Sequence, residues 1–69
     1  MEKIKIYLNG NDKEIDKDST VEQVVSTFDM KNPMFVVELN LNIVQKNEYS
    51  ATTLKDGDKL EVVTFFGGG

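Results

Sequence analysis

The sequence predicts an α+β fold in which one main helix packs on one face of a mixed sheet of four to five strands. Three observations lead to this expectation. The chain has 69 residues, 39% of them hydrophobic, and a chain of this size hides roughly 60% of its extended surface on folding, enough for one small core. Apolar and polar residues alternate near both ends, which is typical of half-buried strands. Between those ends, one stretch carries apolar residues at helical spacing.

The N-terminal segment predicts a β-hairpin over residues 2–17. Alternation across Lys3–Leu8 places three apolar side chains on one side of a strand: Ile4, Ile6 and Leu8. A cluster around Gly10 contains residues that tolerate positive φ, which favours a turn. The segment Lys13–Asp16 then offers a short second strand.

A capping box at Ser19 predicts the start of the helix, because its hydroxyl could accept the amide of Glu22 while that side chain reaches back. The apolar residues that follow recur at i, i+3, i+4 and i+7: Val21, Val24, Val25 and Phe28. This spacing predicts an amphipathic helix of about two to three turns that ends near Asp29, before Pro33. Since valine has only middling helix propensity, the helix needs the sheet beneath it.

Beyond Pro33, the sequence predicts two or three further strands. Alternation across Phe35–Leu39 indicates a third strand, and Ile43-Val44 can add a short one after a turn-like segment. The polar stretch Gln45–Thr53 predicts no strand or helix. A turn at Asp56–Asp58 precedes the last strand.

The last strand is predicted over Lys59–Phe66, with its even-numbered residues on one side and its odd-numbered residues on the other. A connection through a helix between strands of one sheet favours a parallel pair and therefore a mixed sheet. One helix can cover only one face of that sheet. These constraints fit the ubiquitin-like β-grasp, with a β-grasp domain over residues 1–66 and a flexible glycine tail over residues 67–69.

Composition argues against several classes of function. The chain contains 0 Cys and 0 His, and its net charge is −4. This disfavours zinc sites, disulfide scaffolds and Cys or Ser–His nucleophiles, and the charge is opposite to that of nucleic-acid-binding proteins. No apolar run approaches the length of a membrane span or a signal peptide. We expect a cytoplasmic protein, monomeric on its own, that binds no metal, nucleic acid or membrane and has no catalytic residue.

The residues that carry chemistry are predicted to be the terminal glycines Gly67, Gly68 and Gly69. Glycine loses much backbone entropy on ordering, so three in a row favour a mobile tail. At about 3.3–3.6 Å per residue, such a tail extends roughly 10 Å and could enter a narrow channel in another protein. A carboxylate is a poor electrophile and would react only after activation, for example as an acyl-adenylate. The alternative is that the glycines are an incidental frayed end.

A second candidate site is an apolar patch on the open face of the sheet. If the even-numbered residues of the last strand point under the helix, then Val63 and Phe65 point away from it. Val36 and Tyr7 would join them across the sheet. Exposed apolar clusters on small proteins commonly mark interaction sites. The alternative is that loops or edge residues shade these side chains.

The arrangement of these motifs resembles the thiamin-biosynthesis sulfur carrier family (ThiS-type), relatives of the small subunit of molybdopterin synthase. The resemblance covers essentially the whole chain. It is carried by Val37–Asn40, Ile43-Val44, the segment Leu54–Val63 with its Asp-Gly-Asp turn, and the C-terminal Gly-Gly.

The resemblance implies a protein co-substrate and not an enzyme. A partner adenylating enzyme, related to ubiquitin-activating enzymes, would use ATP to convert the Gly69 carboxylate to an acyl-adenylate. A sulfur-donating persulfide protein would then give a C-terminal thiocarboxylate, which thiazole synthase would use to form the thiazole ring. Gly68 and Gly67 would thread into the partner, and Val63 and Phe65 would help to dock it. The chain itself would bind no cofactor.

Three alternatives share the same sequence features. A sulfur carrier for molybdopterin synthesis and a ubiquitin-like protein modifier would use the same tail. A non-catalytic β-grasp binding module would have the fold but only incidental glycines.

Overall fold

The computed structural model describes residues 2–28 and 34–64 of the chain. The described part contains five strands, one α-helix and one 3₁₀ helix. In chain order these are β1 (Lys3–Leu8), β2 (Asn11–Asp16), α1 (Val21–Val25), β3 (Phe35–Leu39), β4 (Asn42–Val44), the 3₁₀ helix (Lys46–Ala51) and β5 (Lys59–Thr64).

The five strands form one sheet in the order β2-β1-β5-β3-β4. β5 pairs with β1 in parallel, and the other neighbours are antiparallel. The predicted mixed sheet is therefore confirmed. The strand that comes last in the sequence lies at the centre of the sheet.

Two-residue turns close both hairpins. Asn9 (φ 50) and Gly10 (φ 84) connect β1 to β2, while Asn40 (φ 51) and Leu41 (φ 72) connect β3 to β4. Positive φ at both central residues is the signature of the type I′ turn, whose twist matches that of the flanking strands. Because these turns are so short, β2 and β4 begin earlier than the sequence pattern predicts, β2 by two residues and β4 by one.

The helix begins one residue later than predicted. The N-cap is Thr20, whose Oγ1 accepts the N–H of Gln23 (3.2 Å), while Oε1 of Gln23 accepts the N–H of Thr20 (2.8 Å). The predicted capping box of Ser19 with Glu22 is wrong because the Ser19 hydroxyl donates to the carbonyl of Asp16 (2.7 Å). It closes the turn after β2 instead of capping the helix.

The α-helix ends at Val25, earlier than predicted. Ser26 and Thr27 donate their hydroxyls back to the carbonyls of Gln23 and Val24, at 2.8 and 2.6 Å. Such local side-chain bonds compete with helix continuation. The predicted end near Asp29 is therefore wrong for the α-helix, and Asp29 itself lies outside the described residues. The apolar stripe is nevertheless confirmed, since Val21 and Val24 are buried and Val25 and Phe28 pack against the core.

The core lies between the sheet and the two helices. Its buried side chains are Ile6, Ile15, Val21, Val24, Val37, Tyr49, Leu54, Leu60 and Val62. The strand residues among them match the predicted alternation. Tyr49 was not predicted: it lies on the 3₁₀ helix within the polar stretch that showed no pattern, and it is only 9% exposed. Burial raises the pKa of the Tyr49 hydroxyl above its ordinary value.

The turn at Asp56–Asp58 is confirmed and is attached to β1. Gly57 has φ 89, and its N–H donates to the carbonyl of Lys5 (2.8 Å). The N–H of Lys5 in turn donates to Oδ1 of Asp56 (2.9 Å). These bonds hold the start of β5 beside the first strand.

The sequence also predicts a boundary near the end of the chain and no membrane-spanning segment. The division between a body over residues 1–66 and a tail over residues 67–69 falls outside the described residues and stays a prediction. Within residues 2–28 and 34–64, no helix is long and apolar enough to cross a membrane.

Candidate functional site

The strand that leads into the terminal glycines is held on both of its edges. On the β3 side, pairing runs from Leu39 opposite Leu60 to Phe35 opposite Thr64. On the β1 side, the N–H of Asn9 donates to the carbonyl of Leu60 (2.9 Å). β5 is thus a central strand: β3 pairs with it as far as Thr64, whereas its register with β1 ends at Leu60.

The predicted loaded and threading residues, Gly69, Gly68 and Gly67, lie outside the described residues. Phe65 of the predicted docking patch lies outside them too, as does Phe66. Their roles therefore stay predictions. The structure describes the strand that precedes them and the face beside it.

Of the predicted docking residues, the structure brings Val36 and Val63 together. They are direct partners in the register between β3 and β5, and both belong to the face that points away from the core. Val63 is 40% exposed and Val36 is half-buried. This rung of the sheet lies next to Thr64, the last described residue before the predicted tail.

Tyr7 lies on the same face but apart from that rung. Its partner on β5 is Lys59, four residues before Val63, which corresponds to about 13 Å along the strand. Glu61 lies between the two positions on that face. Tyr7 is 38% exposed, but the structure does not bring it together with Val36 and Val63.

Ile43 adds to the apolar rung and was not singled out from the sequence. It is 62% exposed and is the partner of Glu38 in the β3–β4 register, so it lies diagonally beside Val36 on the open face. The sequence did carry a signal, since Val44 is the core-facing residue of β4 and its neighbour must face outward. Together Val36, Val63 and Ile43 form what we call the tail-side apolar patch.

Two carboxylates border the tail-side apolar patch. Glu38 and Glu61 are direct partners in the β3–β5 register, and like charges at such positions repel each other. In the part of the chain that the structure describes, the ion pairs are Lys3–Asp16, Lys5–Asp12 and Lys17–Glu2. None of these involves Glu38 or Glu61, so a cationic side chain of a partner could neutralise them.

The described residues contain no group of three or more His, Cys, Asp or Glu side chains that could hold a metal ion. They also contain no buried polar side chain without a hydrogen-bond partner. The candidate site in the described part is the outward-facing surface of the sheet, which includes β5, the strand that precedes the glycines in the sequence.

Comparison with known proteins identifies the family. The model of the ThiS family matches residues 6–69, a range that includes all of β5 and the three glycines after it. The chain belongs to the ThiS family.

Relatives and a solved structure agree with this membership. The chain is 35% identical over 65 residues to "Sulfur carrier protein ThiS" of Bacillus subtilis (strain 168), covering 93% of this chain and 98% of that protein. It is also similar in structure to the thiamine biosynthesis protein (ThiS) of Geobacter metallireducens, with a TM-score of 0.79 and 30% identity, covering 96% of this chain and 100% of that one. The predicted ubiquitin-like β-grasp fold is thereby confirmed.

Another group of relatives is much longer than this member of the ThiS family. "Thiazole synthase" of Paramagnetospirillum magneticum (strain ATCC 700264 / AMB-1) is 38% identical over 66 residues, which are 96% of this chain but 20% of that protein. "Thiazole synthase" of Magnetococcus marinus (strain ATCC BAA-1437 / JCM 17883 / MC-1) is 33% identical, with the same coverage. The chain thus spans about a fifth of the length of these two relatives.

Proposed function

We propose that this member of the ThiS family is a sulfur carrier protein of thiamin biosynthesis, loaded and unloaded at the carboxyl group of Gly69. The observation that carries the proposal is the family match, which continues through β5 to Gly69. The likeness to the B. subtilis carrier, which extends over 98% of that protein, supports the same role. The chain would act as a protein co-substrate and not as an enzyme.

The chemistry requires activation by a partner. The carboxylate of Gly69 is ionised at neutral pH and does not react with nucleophiles as it stands. A partner adenylating enzyme would transfer AMP from ATP to this carboxylate and release pyrophosphate. Sulfur supplied by a persulfide protein would then displace AMP, and a thiol would cleave the remaining S–S bond to leave the C-terminal thiocarboxylate.

The composition of the chain fits this division of labour. With 0 Cys and 0 His, it offers neither a thiol to hold sulfur nor an imidazole to transfer protons. The sulfur would be held at Gly69, and Gly68 and Gly67, which lack side chains, would allow the terminus to reach into a narrow active site. ATP would be bound by the partner and not by this chain.

A partner would recognise the folded domain through the open face of the sheet, which points away from the core. Val63 of the tail-side apolar patch lies on β5, the strand that precedes the glycines, and only three residues separate it from Gly67 in the sequence. A partner that covers Val36 and Val63 would therefore meet the terminus within the reach of a short tail. We propose that Phe65 extends this contact and that Tyr7 makes a second, separate one.

Thiazole synthase is the proposed acceptor of the sulfur. In two relatives named thiazole synthase, a region similar to this chain makes up 20% of the protein. Joining a carrier to its acceptor in one chain would raise the effective concentration of each for the other. We propose that this chain delivers its sulfur to the same kind of acceptor after loading.

Intact-mass measurement tests the loading step. The protein would be incubated with a cognate adenylating enzyme, ATP and a persulfide donor. The activity of the enzyme would first be checked on a second, known carrier of the ThiS family. We expect one oxygen of the Gly69 carboxyl group to be replaced by sulfur. An unchanged mass with that active enzyme would refute the proposal.

Two variants act as controls for the position of loading. One has a residue appended after Gly69, and the other lacks Gly68 and Gly69. Both should keep the circular dichroism spectrum of the folded protein and lose loading completely. Loading of either variant would show that Gly69 is not the site, and attachment to lysines of other proteins would indicate a protein modifier instead.

A sulfur-transfer assay tests the pathway. The thiocarboxylate form would be supplied to thiazole synthase with its other substrates, and in parallel to a molybdopterin synthase large subunit. We expect thiazole formation and return of the carboxylate form only with thiazole synthase. Transfer confined to the molybdopterin enzyme would contradict the assignment to thiamin biosynthesis.

A further inference from the structure

Asn9 does more than form a turn. Its φ of 50 suits the first central position of the type I′ turn, which glycine would fill as well. Its side chain makes a second, long-range contact: Oδ1 accepts the backbone N–H of Val62 at 2.8 Å, across 53 residues of sequence. The turn by itself does not require this bond.

The bond lies where the parallel pairing of β1 and β5 stops. The last registered pair is Leu8 with Leu60, because the chain turns away at Asn9. A continued β1 would offer a backbone carbonyl to the N–H of Val62, and the Asn9 carboxamide takes its place. Within the described residues, Val62 is thus the last β5 position whose amide is held from the hairpin side.

Asn40 provides a matched case on the opposite edge of β5. It has nearly the same φ, 51, at the first position of the other hairpin turn. Its Oδ1 accepts the N–H of Lys59 at 3.0 Å. The two asparagines therefore hold β5 from its two sides, but Asn40 holds the start of the strand and Asn9 holds the part nearer to the glycines.

We propose that Asn9 is a positioning residue for the C-terminal tail. Its carboxamide holds β5 to the hairpin at Val62 and so restricts the orientation of the strand end at Thr64, from which the tail would start. Without it, the end of β5 is held only by β3 and samples more orientations. A partner that captures the tail must order these orientations, and the entropic cost of doing so opposes binding. Loss of the Asn9 carboxamide would therefore weaken capture of the tail but leave the reaction of the captured tail unchanged.

The free protein tests the positioning itself. In Asn9→Gly, the new glycine accommodates the positive φ and the side chain with its carboxamide is lost, while the gain in backbone freedom is shared with the control Asn40→Gly. We expect amide hydrogen exchange at Val62 to accelerate about threefold to tenfold, the range that corresponds to one hydrogen bond, and the ¹⁵N heteronuclear NOE of Thr64 to fall. Asn40→Gly should change Lys59 and leave Val62 and Thr64 as they are. Unchanged exchange and NOE in Asn9→Gly would overturn the inference.

Loading kinetics test its consequence, which rests on the proposed sulfur-carrier function. With the adenylating enzyme, Asn9→Gly should raise the KM for the carrier about threefold to tenfold with kcat unchanged, whereas Asn40→Gly should keep the wild-type KM. Asn9→Asp, which retains the acceptor oxygen and tolerates positive φ, should restore the KM. Equal KM values for the two glycine variants would overturn the inference.

The two proposals fail in different ways. If the wild-type chain is not loaded, the sulfur-carrier function is wrong, and the exchange and NOE data still decide whether Asn9 holds the end of β5. If the wild type is loaded but Asn9→Gly behaves as Asn40→Gly does, the function stands and the role of Asn9 is wrong.

Discussion

Val36 and Val63 lie directly opposite each other on β3 and β5, on the sheet face that points away from the core. Both side chains are at least partly open to solvent, and Val63 directly precedes Thr64, where the described strand ends. The folded chain alone leaves part of the apolar surface of these side chains unburied.

Val63→Asp should weaken binding to the adenylating enzyme by about tenfold, which corresponds to about 1.4 kcal/mol. The charge would have to be desolvated at the centre of the proposed contact. Isothermal titration calorimetry would measure the change. Leu41→Asp is the control, because Leu41 is 81% exposed in the turn at the other end of β3 and should keep wild-type affinity. Equal loss of affinity in both variants would remove the tail-side apolar patch from the interface.

Glu38→Gln should stabilise the free protein by about 0.2–1 kcal/mol, because Glu38 faces Glu61 across the sheet and the substitution removes like-charge repulsion. Urea unfolding would measure this gain, which should shrink as salt is added. Glu14→Gln is the matched control, since Glu14 faces Lys5 in the β1–β2 register and should not become more stable. A loss of stability in Glu38→Gln would contradict the prediction.

Ile6→Val should destabilise the protein by about 0.5–1.5 kcal/mol, because Ile6 is fully buried and the lost methylene leaves a small cavity. Ile43→Val removes the same atoms from a side chain that is 62% exposed and should change stability little. Thermal or urea unfolding distinguishes the two. Comparable losses would mean that Ile43 is more deeply packed than the structure shows.

Stability should fall above about pH 10 through Tyr49. Burial raises the pKa of Tyr49 in the folded protein, so the unfolded chain loses this proton first as the pH rises. The contribution of the buried, protonated Tyr49 to stability is therefore fully present below the pKa of tyrosine in the unfolded chain. It is lost as the pH rises through the pKa of Tyr49 in the folded protein. Tyr49→Phe should flatten this part of the urea-unfolding profile, while Tyr7→Phe, which leaves Tyr49 in place, should retain it. Identical profiles for the two variants would contradict this assignment.

The strands were the most predictable part of the fold. Alternation alone identified β1 and β3 with their observed bounds, and it identified which residues of β5 face the core. This works because a strand with one buried face repeats every two residues, and the repeat is visible in the sequence. The order of strands and helix already fitted the ubiquitin-like β-grasp, and the resemblance to the sulfur carrier family then supplied a function for the glycines.

Local patterns failed where several residues could satisfy the same rule. Ser19 and Thr20 can both cap a helix, and the choice of Thr20 depends on its bridge to Thr53 and on the bond from the Val21 N–H to the carbonyl of Thr52 (2.9 Å). Tyr49 gave no signal because the stretch around it has no apolar repeat. Its burial results from packing of the 3₁₀ helix against α1.

The sequence by itself determined the faces of the strands, the stripe of the helix and the presence of three consecutive glycines after β5. These are local properties, set by side-chain type and spacing. Only the tertiary structure decided that β5 lies at the centre of the sheet, that Val36 meets Val63, that Tyr7 lies apart from them, and that the Asn9 carboxamide reaches Val62. Each of these depends on strand order and register, which join residues distant in the chain and leave no mark on the spacing within either segment.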